Sequence, residues 1–465
     1  MFTLEQLEQI EEGALRILEE TGVNLQDPDV SARIFAKGFK RNAAGRVIIE
    51  RAVVKAFIKE ERDRNGNNFR KGPQAMEPQE EFTAFVSPYP LSFHDIATDE
   101  IVPFTAERLT WAVKLCDAAA SRGLVSSPPG TPSDVPAPLQ PILSYWIAAT
   151  YSRQGKHPVD ARWEESMPYV MDMADALGEP IRNLPIYVFS PLNLSGESFH
   201  CVLKYKDRLK GFSVGSMPAP GSTAPLNLGD AFALSAAENI GPAIIMREII
   251  NLPVGWHVPI FPVDMRSIAM IFGSPENLIF HLLSSEVTAY FKGTQWYPAA
   301  NNTHSIAKLP GAQSCVEKSS IMTAGALLGE RWFGAIGTLS LEEVFSPEQL
   351  VYDLEMMDHV KKMVSPFDVT CDPARAAADT AEGVKAGSFL ELDSTAESYK
   401  EVYWSPPLFE REYVEAWKKK GGRKLRDRAH EMIRDMVARH EYRLEPHLQK
   451  AIDGILEKAK KAFPG

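Results

Sequence analysis

The chain has 465 residues, of which 45% are hydrophobic and 24% charged, as in an ordinary water-soluble globular protein. Its net charge of −11, with KKKGGRK at residues 418–424 as its main basic run, argues against nucleic acid as the principal partner. Neither a membrane-spanning apolar run nor a signal-peptide pattern is present, so we expect no membrane partner and a cytoplasmic location. The four cysteines are widely separated, and no Cys/His spacing predicts a metal site.

Residues 1–80 predict an N-terminal helical extension. Apolar residues recur at helical spacing from Leu4, and Gly22 is placed to end that first helix. Asp27 followed by Pro28 predicts the start of a second helix. The polar stretch NGNNFRKGPQAMEPQEE then predicts a boundary or wrapping loop.

In residues 81–371, short apolar runs alternate with helical segments. The predicted strands are FTAFVSP, GLVSSPP, HPVDARW, PIYVFSP, GFSVGSMP, GWHVPIFPVD, GTQWYPAAN and WFGAIGT. Ser346 before Pro347 predicts the start of the helix that ends the series. Eight strand–helix repeats predict an α/β fold, a TIM-type (β/α)8 barrel. Residues 372–465 predict a C-terminal helical region packing on this barrel.

The stretch SMPAPGSTAP, residues 216–225, lies where a predicted strand meets a long helix. Ligands of α/β barrels bind at this end of the strands. The strand ends of this chain combine aromatic rings, isolated carboxylates and small hydroxyl or amide groups, without a compact set of metal ligands. That composition favours a pocket for a cation without a polar N–H, held by ring faces.

Several motifs in the same order resemble one family. They are ALRILEETGV, MPAPGSTAPLNLGDAFALSAAE, FPVDMRSIAMIFGSPENLIFHLLSSEVTAYF, KLPGAQSCVEK, LEEVFSPEQLVYDLEM and SPPLFEREYVEAWKKKGGRKLRDRAHEMIRDMV. They resemble the trimethylamine methyltransferase family of corrinoid-dependent methyltransferases, and the resemblance covers nearly the whole chain. The family fold that this implies is a TIM-type barrel with added helices.

The resemblance implies methyl transfer from a methylated amine to the cobalt of a separate corrinoid protein. Archetypal members carry pyrrolysine near the last barrel strands, whereas WFGAIGTLSLEEVFSP contains only standard residues. The chain therefore resembles the non-pyrrolysine branch, which includes methyltransferases for glycine betaine and other quaternary amines. Many relatives also have histidines where this chain has KAGSFLELDSTAESYKEVYW, so the substrate is not carried over.

A quaternary amine suits this chemistry because loss of a methyl group leaves a neutral tertiary amine that needs no proton. The protein then has only to desolvate the cation and align its methyl group. We expect no cofactor or metal bound by this chain, since the methyl acceptor is the cobalamin of the partner corrinoid protein. The apolar helices are also compatible with a homo-oligomer.

Eight residues are candidates for substrate binding and one for catalysis. The binding candidates are Trp296, Tyr297, Asp264, Phe189, Phe345, Thr223, His94 and His304, and the catalytic candidate is Glu343. Core packing is an open alternative for each ring, loop capping through Arg266 for Asp264, and a surface position for Glu343. We expect residues 217–223 to shape the mouth through backbone groups and Thr223.

Three other functions remain open at this point. The first is a betaine-type solute-binding barrel without transfer activity. The second is a methyltransferase for a different methylated amine, and the third is a barrel hydrolase or lyase. The lack of a metal-ligand cluster or of paired catalytic acids counts against the last of these.

Overall fold

The structure, a computed structural model, describes residues 1–69, 81–156, 163–297 and 300–464. Helices dominate this part of the chain. They are α1 Leu4–Arg16, α2 Pro28–Ala36, α3 Arg51–Arg64, α4 Ala106–Ala118, α5 Gln140–Tyr151, α6 Met167–Ala176, α7 Glu197–Tyr205, α8 Leu228–Ile250, α9 Pro275–Lys292, α10 Ala312–Leu327, α11 Pro347–Val364, α12 Pro373–Ala386, α13 Asp393–Val402, α14 Val414–Lys419, α15 Leu425–Ala438 and α16 Pro446–Ala462.

The strands are short and form several small sheets. They are β1 Asn24–Leu25, β2 Lys40–Arg41, β3 Val47–Ile48, β4 Thr83–Ala84, β5 Ser92–Asp95, β6 Glu100–Pro103, β7 Asn183–Val188, β8 Asn193–Leu194, β9 Gly211–Ser216, β10 Val254–Trp256, β11 Trp332–Phe333, β12 Thr338–Leu339 and β13 Val344–Phe345. The best-formed group is the parallel sheet β10-β9-β7.

Local sequence signals set several helix boundaries. The Asp27 side chain accepts a hydrogen bond from the Val30 N–H (2.8 Å) before Pro28 opens α2. Ser346 accepts from the Gln349 N–H (3.1 Å) and Pro347 opens α11. Both predicted helix starts are confirmed, because an N-cap side chain satisfies a backbone donor that the helix itself leaves free.

Parallel pairings connect most of the predicted strands in chain order. The sheet of β7, β9 and β10 and the pair β11–β4 supply three of them. Single parallel bridges join Ala84 to Leu124, Ser126 to Gly155 and Asn302 to Gly334. Within the described ranges nothing pairs the chain after Gly155 with β7, or β10 with the chain before Asn302. A closed barrel is therefore not found there, and closure remains a prediction.

Two apolar cores stabilise this arrangement. The larger core lies around β7, β9 and β10 and includes the buried face of α8, a helix that is covered along nearly its whole length. The N-terminal helices share it, since α1 packs on α8 and β1 pairs with β8. The second core lies around β4, β11, α4, α10, α11 and α15.

Parts of the predicted organisation fall outside the described residues. The predicted strand HPVDARW lies at residues 157–163, of which the structure describes only Trp163, and most of the predicted boundary loop lies at residues 70–80. The division at residues 80 and 371 stays a prediction. Among the helices of the described part, none is long and apolar enough to cross a membrane.

Phe345, proposed from the sequence as a cage wall, lies instead in the second core. The chain after β11 forms the antiparallel hairpin β12–β13, and β13 then pairs with β5. The ring of Phe345 is fully buried and stacks on Phe104 with centroids 6.0 Å apart. The structure therefore places this ring by the core-packing alternative that the sequence left open.

We expect Phe345→Ala to lower the free energy of unfolding by roughly 3–5 kcal/mol, because it leaves a cavity in a packed core. Urea unfolding of the variant and the wild type measures this difference. If the variant is as stable as the wild type but binds ligand more weakly, Phe345 contributes to ligand binding and not to the core.

Candidate functional site

The two faces of each central strand have opposite environments. Along β7, Leu184, Ile186 and Val188 are buried against helices, whereas Tyr187 is 42% exposed. On β11, Phe333 is fully buried and the neighbouring Trp332 is 48% exposed. Because side chains alternate along a strand, the exposed rings lie on the face opposite the helices, which we call the inner face.

Glycines keep this inner face open. Gly215 of β9 lies beside Tyr187, and Gly255 of β10 lies beside Ser213. His257 is two residues beyond Gly255, and a Cβ atom added to Gly215 would lie 3.8 Å from its Cε1 atom. Side chains at the two glycine positions would occupy space that is now free, so their absence makes room for a ligand.

A cavity of about 590 Å³ lies between the inner face and α9. Its aromatic lining includes Phe261, Tyr297 and Trp332, and its polar lining consists of hydroxyl, amide and imidazole groups. The ring of Trp332 also meets Phe85 edge to face, with centroids 5.4 Å apart. No Lys, Arg, Asp or Glu is among the described residues that line it. The cavity is therefore neutral and rich in ring faces.

Burial keeps the two histidines of the cavity uncharged. It lowers the pKa of His281 to about 4, and His304 and His257 add to the effect. The side chain of His257 is exposed towards the cavity, yet the surrounding protein lowers its pKa too, with a further contribution from Lys292. His281 Nε2 lies 3.2 Å from the Asn302 amide nitrogen. Neutral imidazoles matter here because a protonated one would repel a cationic ligand.

A carboxylate lies beyond the aromatic wall of this cavity. The ring of Phe261 packs on Phe272 (5.2 Å), and Phe272 packs edge to face on His304 (5.3 Å). The Nε2 atom of His304 is 3.1 Å from Glu342 Oε1. Burial raises the pKa of Glu342, but His304 and Ser87 together outweigh it, so the pKa is lowered on balance. Glu342 is thus an anion at neutral pH.

The structure separates Trp296 from Tyr297. Tyr297 lines the cavity. The Trp296 indole N–H donates to Ser285 Oγ (2.9 Å) on α9, and its ring is half-buried. Since Ser285 itself lines the cavity and Trp296 does not, Trp296 lies behind the wall.

Asp264 and Thr223 organise loops at the mouth. Asp264 accepts from the backbone N–H groups of Arg266 and Ser267 and pairs with the Arg266 side chain at 3.2 Å. These contacts, Arg266 foremost, lower the pKa of Asp264 to about 2. Thr223 Oγ1 accepts from the Ala219 N–H (2.9 Å) and closes a turn. Asp264 therefore caps its own loop, and Thr223 closes a turn, while its role in shaping the mouth stays a prediction.

The remaining candidates lie apart from the cavity lining. His94 is fully buried between Ser346 and Asp99, 2.9 Å from each. Glu343 is exposed and accepts a hydrogen bond from Ser340. The ring of Phe189 is exposed at the mouth and lies over Gly196. The carboxylate near the site is thus Glu342, one residue before the one singled out from the sequence.

The loop that carries Glu342 has a strained backbone. Ala335, Ser340 and Leu341 have φ values of 60°, 50° and 63°, in the left-handed region that costs non-glycine residues energy. Such strain persists only where surrounding contacts hold the chain in place. This loop is residues 334–343 and is called the β11 loop below.

A buried ion pair supplies part of those contacts, and the carbonyls of Ala307 and Ser305 accept from the N–H groups of Ser340 and Leu341. Lys318 Nζ of α10 lies 2.7 Å from Asp353 Oδ2 of α11, and both side chains are fully buried. Lys318 also donates to the Ala335 carbonyl (2.8 Å), and the Gly337 N–H donates to Asp353 (2.7 Å). The pair therefore holds the β11 loop at Ala335 and Gly337. Sequence analysis missed it, although a lysine amid the apolar positions of a helix was a usable signal.

Comparison with known proteins identifies the family. The family model described as "Trimethylamine methyltransferase (MTTB)" matches residues 1–463. Trimethylamine methyltransferase MttB1 of Methanosarcina mazei is 24% identical, with 100% of this chain and 96% of that protein covered. Glycine betaine methyltransferase of Desulfitobacterium hafniense is 22% identical, with 98% and 95% covered. The chain belongs to the trimethylamine methyltransferase family, as its motifs predict.

The solved structures give a weaker likeness. Monomethylamine methyltransferase of Methanosarcina barkeri is 11% identical and superposes with a TM-score of 0.40, covering 98% of this chain and 93% of that one.

We expect Lys318→Met to lower the free energy of unfolding by about 3–5 kcal/mol, because it leaves the Asp353 carboxylate buried without a partner. The double variant Lys318→Met/Asp353→Leu should recover part of this loss, since no lone charge remains. Chemical denaturation measures both. If the double variant is as unstable as the single one, the ion pair is not what holds the loop.

We also expect acid to destabilise the protein through His281. Its folded pKa of about 4 lies below the ordinary value of 6.5, so the unfolded chain binds more protons between these pH values. The free energy of unfolding therefore falls as the pH decreases through this window. The variant His281→Gln should show a smaller fall than the wild type in denaturation at pH 7 and pH 5, and parallel pH profiles would contradict this.

Proposed function

We propose that the protein transfers a methyl group from a quaternary amine to the cobalt of a partner's corrinoid. Membership of the family supports transfer from a methylated amine, and the relative named glycine betaine methyltransferase supports a quaternary one. The proposal includes closure of the strands into a barrel, which would bring the inner-face rings of β7 and β11 around one space.

The observation that carries the proposal is the neutral cavity with exposed rings. A quaternary ammonium has no N–H to donate, so its main attractive partners are ring faces and distant carboxylates. Tyr297 and Trp332 line the cavity, and Tyr187 is exposed on the same inner face. The uncharged states of His257 and His281 remove the repulsion that a cation would otherwise meet.

The proposed reaction needs little acid–base catalysis by this protein. A quaternary amine that loses a methyl group leaves as a neutral tertiary amine, so no residue has to protonate it. The cavity binds the cation, excludes water and holds one methyl group towards the mouth. Glu342, anionic beside His304, balances the substrate's charge from beyond the Phe261–Phe272 wall.

The mouth has features that fit a partner carrying a corrinoid. Exposed apolar side chains project from two neighbouring loops, Met217 and Leu226 from one and Met265 and Ile268 from the other. The loops touch, since a Cβ atom on Gly221 would lie 3.0 Å from the sulfur of Met265. Such an apolar patch around a cavity is typical of a docking surface. The corrinoid supplies a nucleophilic cobalt that accepts the methyl group.

We expect Trp332→Ala to weaken binding of glycine betaine or tetramethylammonium by about 1–2 kcal/mol, roughly 5- to 30-fold in Kd. Trp332→Phe should recover part of the loss because a ring face remains. Trp417→Ala, which removes a tryptophan of α14, is the matched control and should bind as the wild type does. Isothermal titration calorimetry measures the four affinities.

Methyl transfer is tested by supplying reduced cobalamin as acceptor and following methylcobalamin by absorbance. We expect turnover of a quaternary amine in preference to trimethylamine. Preferential turnover of trimethylamine would reject the substrate class and keep the family. Tight binding without transfer, even when a cognate corrinoid protein is added, would instead indicate a solute-binding protein.

A further inference from the structure

Three hydroxyl groups of α9 line the cavity from one face of the helix. Ser284, Ser285 and Thr288 all belong to the lining, and each residue is partly exposed. Positions 284 and 285 lie four and three residues before position 288, so the three side chains are neighbours on the helix surface. The inner face contributes the ring of Trp332 to the same cavity. A ligand in the cavity therefore meets rings and also hydroxyl groups.

Two of these hydroxyl groups are held by backbone N–H groups of the chain after β10. Thr288 Oγ1 accepts from the Val258 N–H (2.9 Å), and Ser284 Oγ accepts from the Ile260 N–H (3.3 Å). A hydroxyl group that accepts a hydrogen bond still has its own O–H to donate. Within the part of the chain that the structure describes, neither O–H has an acceptor. Ser284 and Thr288 thus offer two donors to a ligand.

Ser285, between them on the same face, is satisfied by the protein itself. Its hydroxyl group donates to the Leu282 carbonyl (2.8 Å) and accepts from the Trp296 indole N–H (2.9 Å). The unused donors of α9 are therefore those of Ser284 and Thr288. A donor without an acceptor in a cavity shielded from solvent is unfavourable, so a ligand that brings an acceptor to this wall gains affinity.

The charges around the cavity select the kind of acceptor. A carboxylate that leaves water needs a cationic partner, and no Lys or Arg is among the described residues of the lining. The anion Glu342, beyond the wall of Phe261 and Phe272, would also repel a carboxylate. An uncharged oxygen of a hydroxyl, ether or carbonyl group accepts hydrogen bonds without either cost. The two donors therefore suit an uncharged oxygen.

We propose that Ser284 and Thr288 bind an uncharged oxygen on the fourth substituent of a quaternary amine, while its trimethylammonium group lies against the rings of Tyr297 and Trp332. The preferred ligands are then quaternary amines with a hydroxyl, ether or carbonyl group rather than a carboxylate. This inference rests on the proposed function and adds the chemistry of the substituent that is not transferred.

The first test compares three ligands by isothermal titration calorimetry on the full-length protein. Choline and propyltrimethylammonium have nearly the same shape, but only choline carries an oxygen. We expect choline to bind roughly 3- to 10-fold more tightly than propyltrimethylammonium, the effect of about one neutral hydrogen bond, and more tightly than glycine betaine.

Two kinds of failure are distinguishable in this test. Equal binding of choline and propyltrimethylammonium, or tighter binding of glycine betaine, overturns the inference and leaves the proposed function standing, since quaternary amines still bind. If none of the three ligands binds, the proposed function fails and the inference fails with it.

The second test removes the donors. The double variant Ser284→Ala/Thr288→Val should bind choline and propyltrimethylammonium equally, whereas Thr288→Ser, which keeps a hydroxyl group, should retain the preference for choline. Thr110→Val is the matched control, because the Thr110 hydroxyl group of α4 donates to the Ala106 carbonyl of its own helix (2.9 Å), and it should bind as the wild type does.

The ratio of the two dissociation constants is the quantity that decides. A substitution that only loosens the fold weakens both ligands alike and leaves the ratio unchanged, whereas loss of a donor to the oxygen weakens choline alone. A double variant of Ser284 and Thr288 with the wild-type ratio overturns the proposal.

Discussion

The candidate site depends on how each central strand divides its two faces. Leu184, Ile186 and Val188 face helices and must be apolar, while the residues between them face open space. Glycine at positions 215 and 255 leaves that space unfilled, so Tyr187 and Trp332 keep exposed rings within a folded core. A ring that is exposed inside a protein, rather than on its outer surface, can gain binding energy from a desolvated cation. The cavity, its aromatic lining and its suitability for an ammonium ion all follow from this alternation.

The position of the carboxylate depends on a second device, the buried pair of Lys318 and Asp353. A left-handed backbone at Ala335, Ser340 and Leu341 is unfavourable alone, and the pair holds the β11 loop by one carbonyl and one N–H. The outcome is that Glu342, and not Glu343, turns towards His304. A shift of one residue in this loop would place Glu343 beside His304 and move Glu342 to the surface. A buried ion pair, a doubtful source of stability in general, has here a positional role.

Local signals predicted the elements well and the site less well. The helix starts at Asp27 and Ser346 depend on a few neighbouring residues, which a sequence displays directly. The sequence did not point to Trp332, because the exposure of its ring in the cavity depends on an unfilled inner face, which is set by glycines on other strands. For Phe345 the sequence left a cage wall and core packing both open, because its position depends on the pairing of the hairpin β12–β13 with β5, a contact distant in sequence. Features that depend on long-range pairing, such as whether the strands close into a barrel, cannot be predicted from the periodicity of the sequence.

The net charge of the molecule acts on a cation at a distance, whereas the neutral lining of the cavity acts on a bound cation. A net charge of −11 attracts cations over a Debye length of about 8–10 Å and so raises their concentration near the mouth. Inside the cavity, a carboxylate in direct contact with a quaternary ammonium would lower the free energy of the bound substrate. Methyl transfer removes the positive charge from nitrogen, so such a contact would be lost on the way to product and would oppose the reaction. In the proposed function, ring faces with Glu342 behind an aromatic wall would bind the cation more evenly along this path. A neutral lining under an acidic surface is therefore what a catalyst for demethylating a cation requires.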